Sequence, residues 1–220
     1  MFIHESVDLA KLKTKNTEEG RRYVTPTGAL YPSVTTILSH KSKPFIQAWR
    51  KRIGEKEADK ISSRAARRGT NIHKLVEDYL NNETEKEQEG IETLDYIDKE
   101  MYINMKGLLG DINNIRCLES RMYSDHLRLG GQVDCIAEYK GELSVIDFKT
   151  STKRKTRSQC YNYLIQCSAY AIMFEEHTGI PINNCVILMT QQDDGPVVFT
   201  STRDEFVPKL IEARDAYENR

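Results

Sequence analysis

The chain has 220 residues, 39% of them hydrophobic and 30% charged, with a formal net charge of −1, which is enough for one substantial domain with a full core. No apolar run approaches the roughly 18 residues of a membrane span, and the first sixteen residues carry Glu5 and Asp8 with no continuous apolar stretch, so neither a signal nor a transit peptide is expected and the cytoplasm is the default. Five scattered cysteines, Cys117, Cys135, Cys160, Cys167 and Cys185, contain no CxxC pair; they argue against a structural zinc site or an iron–sulfur cluster and read as reduced thiols in the core.

In chain order, residues 1–20 are polar and patternless and read as a loosely held arm. Arg22 to Leu38 holds two β-prone pieces around Thr25-Pro26-Thr27-Gly28, a turn between short strands. Pro44 to about Arg68 reads as helix with a break at Gly54, its apolar stripe formed by Phe45, Ala48, Trp49 and Ile53. A second helix follows, N-capped by Thr70, with Ile72, Leu75, Val76 and Tyr79 on one face and His73 and Glu77 an i, i+4 pair at its edge. Residues 81–90 read as an acidic linker, and Ile91 to Leu109 as another amphipathic helix.

The period then changes from that of helix to that of strand. Ile115 to Tyr123 alternates, GGQVDCIAEY follows a short loop, and Lys140-Gly141 turns into ELSVIDFKTS, so three strands form a meander. A helix from about Gln159 to His177 ends at Gly179 and Pro181. NCVILMTQ is an interior strand, Asp194-Gly195 turns into VVFTS, and Thr202 with Glu205 forms a capping-box pattern before a last helix that contains Pro208. The order predicts an α/β fold, a central mixed β-sheet flanked by helices. The expected division is an N-terminal arm, hairpin and basic helices over 1–68, and the core over 69–220.

Charge is unevenly distributed. Residues 41–70 hold ten Lys/Arg against three Asp/Glu, and 77–100 hold ten Asp/Glu against two Lys. Lys149 to Arg157, with Lys153 inside it, forms a second basic run. Such blocks fit a solvated face, and they also fit a positive rim around a carboxylate pocket, the arrangement that suits a polyanion.

The chemistry concentrates in the hairpin. Side chains two apart on a strand share a face, so Asp147 and Lys149 project together, and the facing strand brings Asp134 beside Asp147. Two converging carboxylates repel unless a cation binds both; Mg²⁺, with Mn²⁺ as its substitute, prefers such oxygen ligands and keeps waters that a phosphate oxygen can replace. Lys149 beside it is placed to orient or deprotonate a water and to stabilise charge on phosphorus. A plain salt bridge is the competing reading, weakened because the trio lies in an otherwise apolar strand.

Gly131-Gln132-Val133-Asp134, then Asp147-Phe148-Lys149, then Gln166-Cys167-Ser168-Ala169-Tyr170, with His73 upstream on a helix and Glu119 on the strand before the hairpin, resemble the PD-(D/E)XK nuclease signature in its RecB-type exonuclease branch. YPSVTTIL followed by a basic helix and the Arg68-Gly69-Thr70…His73 segment is similar to the mitochondrial genome maintenance exonucleases and related phage exonucleases of that branch. The resemblance implies a restriction-endonuclease-like core with an N-terminal helical extension, a metal held by His73, Asp134, Asp147 and the Phe148 carbonyl, catalysis by these with Lys149 and Glu119, and Gln166 and Tyr170 positioning DNA. For His73 a hydrogen bond to Glu77 competes, for Glu119 an ion pair with Arg121, and for Tyr170 a core position. Ser33, Thr35 and Thr36 are candidate phosphate contacts, Arg67, Arg68 and Lys153 candidate backbone grips, and Trp49 either stacks on a base in an arch or packs in the core. The cysteines lack the iron–sulfur spacing found in part of this branch. The implied activity is a metal-dependent DNA exonuclease acting on single-stranded ends in replication, repair or recombination; a structure-specific endonuclease on the same core and a non-catalytic DNA-binding adaptor are the alternatives.

Overall fold

The computed structural model describes residues 1–40 and 42–219; Lys41, counted in the first basic block, and Arg220 lie outside the described residues. A small sheet comes first, β1 (Lys13–Thr17), β2 (Gly20–Val24) and β3 (Leu30–Pro32), all antiparallel. Helices α1 (Val34–His40), α2 (Lys43–Ile53), α3 (Glu55–Leu80), α4 (Thr84–Glu92) and α5 (Tyr96–Leu108) follow. The main sheet is built from β4 (Ile112–Ser124), β5 (Leu129–Tyr139), β6 (Glu142–Ser151), β7 (Asn184–Gln191) and β8 (Gly195–Thr202), with α6 (Tyr161–Thr178) between β6 and β7 and α7 (Arg203–Glu218) at the end.

The five strands lie in the order β4-β5-β6-β7-β8, antiparallel except for the parallel pair β6–β7. This is the expected mixed sheet, with the meander at one side and β7 in the interior. Lys140 and Gly141 both take positive φ, 54° and 82°, as a tight hairpin turn between β5 and β6 requires. One face of the sheet buries Ile136, Val145 and Ile187 with α1, α6 and α7, and the other buries Ile146, Phe148 and Val186 with α3 and α5. All five cysteines are free and buried in these two layers. Among the described residues no helix is long and apolar enough to cross a membrane.

Several expected elements differ. Residues 2–7 are not loose: Glu5 and Val7 donate backbone hydrogen bonds to Ile115 and Arg116, and Ile115 donates to Ile3, so the arm covers the open edge of β4. The segment VTTIL is helix α1 rather than strand, because the Ser33 hydroxyl accepts the Thr36 N–H at 3.0 Å and so caps the first turn. Thr70 caps nothing, since α3 runs unbroken through Gly69; the Glu, Lys, Ala and Arg of its first half are strong helix formers, which outweigh one glycine at about 1 kcal/mol. The boundary expected at 68/69 therefore falls inside a helix. The acidic linker contains α4, anchored by buried Glu87, which accepts from Tyr102 Oη at 2.6 Å and Lys106 Nζ at 2.5 Å. The capping box of α7 does not form: Thr202 makes no side-chain cap, and Glu205 pairs instead with Arg157, while Pro208 lies within the helix. The apolar stripe of α2 is not a core face, for none of its residues is buried, and Trp49 is half-buried.

Candidate active site

The site forms where β4, β5 and β6 meet α3 and α6. Regular alternation fails here. Cys135 faces the layer under α3 and α5, whereas Val133, two residues away, faces the layer under α6. Leu118 and Met122 on β4 divide the same way. Between them Glu119 holds φ at +44°, a left-handed conformation that costs a non-glycine residue about 1–3 kcal/mol and persists where surrounding contacts impose it. The irregularity turns the Glu119 and Asp134 carboxylates toward His73 on α3.

His73 Nε2 lies 2.8 Å from the Phe148 carbonyl, and its Nδ1 lies 3.5 Å from Glu119 Oε1 and 3.8 Å from Asp134 Oδ2. Asp134 Oδ2 also accepts the Phe148 N–H at 2.9 Å, an anchor that fixes its rotamer. Asp147, fully buried, lies against Lys149 Nζ at 2.5 Å and accepts from Gln166 Nε2 at 3.3 Å. Lys149 Nζ is also 3.9 Å from Asp134 Oδ2 and 5.1 Å from the centre of the Tyr163 ring. Gln166 in turn donates to Tyr170 Oη at 3.1 Å. The Tyr170 ring occupies the place where a side chain on residue 131 would stand, since a Cβ there would meet Tyr170 Cε1 at 2.2 Å; this is the physical reason for Gly131.

The electrostatics follow from burial and crowding. Burial pulls the His73 imidazole down, but Glu119 and Asp134 outweigh it and leave it above its ordinary value. Burial raises Glu119, and His73 and Gln132 bring it below the usual carboxylate range. Asp147 is pushed up to about 7 by burial, against the pull of Lys149. Lys149 stays above its ordinary value despite burial, because Asp147 and Asp134 both face it.

The donor set fits a divalent cation. Ligand atoms of His73, Glu119 and Asp134 lie within 4.8 Å of one another. Asp147 Oδ2 is buried with no aligned hydrogen bond, Lys149 approaching it as an ion pair only. Three carboxylates here face one lysine and one histidine, an excess of negative charge that a cation relieves.

Residues 45–214 match the family model of the PD-(D/E)XK nuclease superfamily. The chain belongs to that superfamily. It is similar to mitochondrial genome maintenance exonuclease 1 of Mus musculus, 30% identical over 177 residues that make up 75% of this chain and 51% of that protein. The Homo sapiens counterpart is 31% identical over 176 residues, 74% of this chain and 50% of that protein. The chain thus spans about half the length of the curated relatives it matches. A solved structure from Eubacterium rectale has a TM-score of 0.40 at 8% identity over 68% of each chain, a distant likeness.

Within the superfamily's signature, the structure brings His73, Glu119, Asp134, Asp147, the Phe148 carbonyl, Lys149, Gln166 and Tyr170 together. The competing partners of His73 and Glu119 are not used, since Glu77 pairs with Lys74 and Arg121 donates to the Leu12 carbonyl and to Gln132; the core reading of Tyr170 holds, for it is 2% exposed and packs in the layer under α6. The metal set divides, however. Asp147 is drawn to Lys149, and Glu119 takes the place beside His73 and Asp134. Ser33 and Thr35 line the same cleft of about 230 Å³ as Glu119, Asp134, Gln166 and Tyr170. Arg67 and Lys153 are exposed. Arg68 is not a DNA contact: it is 4% exposed and paired with Asp98 at 2.5 Å, because its position on α3 turns it onto α5. Arg21, which reaches the cleft from β2, was invisible in the sequence, since nothing local marks β2 as packing against β5.

Proposed function

We propose that the chain is a metal-dependent deoxyribonuclease, an exonuclease that hydrolyses phosphodiester bonds from single-stranded DNA ends. The observation that carries this reading is the carboxylate excess: Glu119 and Asp134 line an open cleft beside His73, with buried Asp147 and its partner Lys149 next to them. A bound Mg²⁺ or Mn²⁺ would supply a Lewis acid for the scissile phosphate and an activated water. His73, Glu119, Asp134 and the Phe148 carbonyl would hold it, with Asp147 ion-paired to Lys149 beside them.

Lys149 is held charged by two carboxylates, which suits it to stabilise negative charge on phosphorus rather than to take a proton from water. Gln166, tied to both Asp147 and Tyr170, fixes the orientation of the buried carboxylate. Thr35 offers an exposed hydroxyl and Arg21 a guanidinium at the cleft, groups suited to hold phosphates of a strand entering it, whereas the buried Ser33 hydroxyl is taken up in capping α1. The relatives' names support an exonuclease, and the cysteine spacing supports reading the chain as a cluster-free one. DNA is the proposed partner, and replication, repair or recombination the proposed setting.

The test is digestion of end-labelled single- and double-stranded oligonucleotides and of closed circles with Mg²⁺, beside Lys149→Ala. Loss of label from linear single strands, with circles intact and the variant inactive, is expected. Cleavage of closed circles would make it an endonuclease, and no cleavage with Mg²⁺ or Mn²⁺ would reject the reading.

A further inference from the structure

Gln132 stands between Gly131 and Asp134, and so far it has entered only as a partner that lowers the Glu119 carboxylate. It is half-buried on β5, paired in register with Arg121 on β4. Its amide works in both directions. Nε2 donates to Glu119 Oε2 at 2.6 Å, and Oε1 accepts from Arg121 Nε at 3.5 Å. Arg121 is itself fixed from the far side, where its NH1 donates to the carbonyl of buried Leu12 at 3.0 Å. The other oxygen of Glu119 faces His73 Nδ1, and His73 Nε2 faces the Phe148 carbonyl. A continuous polar chain therefore runs from the N-terminal arm through Arg121, Gln132 and Glu119 to His73.

We propose that Gln132 is a positioning residue that aims the Glu119 carboxylate into the metal site, with Arg121 and the Leu12 carbonyl as its outer anchor. This rests on the metal-site reading above. A glutamate has three rotatable side-chain bonds, and one oxygen has to be pinned for the other to point at a ligand position. A short hydrogen bond from an amide to an ionised carboxylate is well suited to that, being charge-assisted. Glu119 also sits on a backbone in the left-handed region, so its direction is set by these contacts and not by regular strand geometry. Glu119 and Gln132 together border the cleft beneath α3, the one along the arm and the one toward Arg21. A polar pair at the meeting of three clefts is reachable by substrate and is not core packing.

The experiment is direct Mn²⁺ binding to the purified full chain without DNA, followed by electron paramagnetic resonance. The proteins are wild type, Gln132→Met, Glu119→Gln, the double variant and Arg121→Met, each checked for folding by thermal melting. Gln132→Met is expected to weaken Mn²⁺ binding about tenfold or more, the usual effect of removing a residue that orients a ligand. It should add nothing once Glu119→Gln is present, since the two act as one unit. Arg121→Met, at an exposed position, should give a smaller loss in the same direction. Wild-type Mn²⁺ affinity in Gln132→Met, or an equal loss with and without the Glu119 carboxylate, would overturn the proposal while leaving the metal site standing. Failure of the wild-type chain to take up Mn²⁺ at all would overturn both.

Discussion

Two buried ionic clusters lie five residues apart on α3, and they resolve the cost of burial differently. Arg68 pairs with Asp98 of α5, at 5% and 4% side-chain exposure, one cation against one anion. Nearby, Glu87 is closed off in the same manner by Tyr102 and Lys106. Around His73 the balance fails: three carboxylates share one lysine and one histidine. A balanced pair is a structural joint, costly to break and indifferent to the surroundings. An unbalanced cluster in an open cleft has affinity for something absent from the chain, and the charge sign says that it is a cation.

The comparison breaks most visibly in activity. Lys149→Met or Asp147→Asn should lower Mg²⁺-dependent cleavage by on the order of a thousandfold or more, in a chain that still unfolds cooperatively. A variant that folds and still cuts would show that the cluster is not the catalytic centre. Arg68→Ala should do the reverse. It strands Asp98 and costs about 3–5 kcal/mol in urea unfolding, whereas Arg68→Met with Asp98→Leu recovers most of that loss. If Arg68→Ala instead abolished DNA binding in a stable protein, Arg68 would return to the substrate contacts.

A gentler probe is the ion itself. Mg²⁺ at a hundredfold over its Kd should stabilise the wild type by about 2.7 kcal/mol, read as a rise in melting temperature that EDTA reverses. Combining Glu119→Gln with Asp134→Asn should remove that rise, and its persistence would place the ion elsewhere.

The smallest effect is on pH. In the ion-free chain Asp147 titrates at about 7, against about 4 for an exposed aspartate. The folded state thus binds this proton more tightly than the unfolded state. Its contribution to stability is fully present below about pH 4 and is lost as pH rises toward 7. Urea midpoints at pH 5 and 7.5 should differ in that sense, and Asp147→Asn should flatten the difference.

Much of the main sheet was legible because its signals are local. Lys140-Gly141 demands a tight hairpin turn, Gly179 takes the left-handed φ of 71° that ends α6, and NCVILMTQ is apolar on both faces. The same hairpin pairing brings Asp134 beside Asp147 and Lys149. Misreadings fell where a tertiary partner decides. VTTIL has β-propensity, yet the Ser33 cap starts a helix; residues 81–90 look like solvated linker, yet Glu87 is drawn inward by Tyr102 and Lys106. The arm is polar in sequence, but β4 has an open edge for it to cover.

By itself the sequence determined which residue types could make a metal site and on which elements they stand, because strand alternation and hairpin pairing are short-range rules. Tertiary structure decided which carboxylates share the ion's space. That choice depends on the irregularity at Glu119 and Asp134 and on α3 delivering His73 across the sheet, long-range features that no local pattern encodes, whereas the pairing of Asp147 with Lys149 two residues on is local.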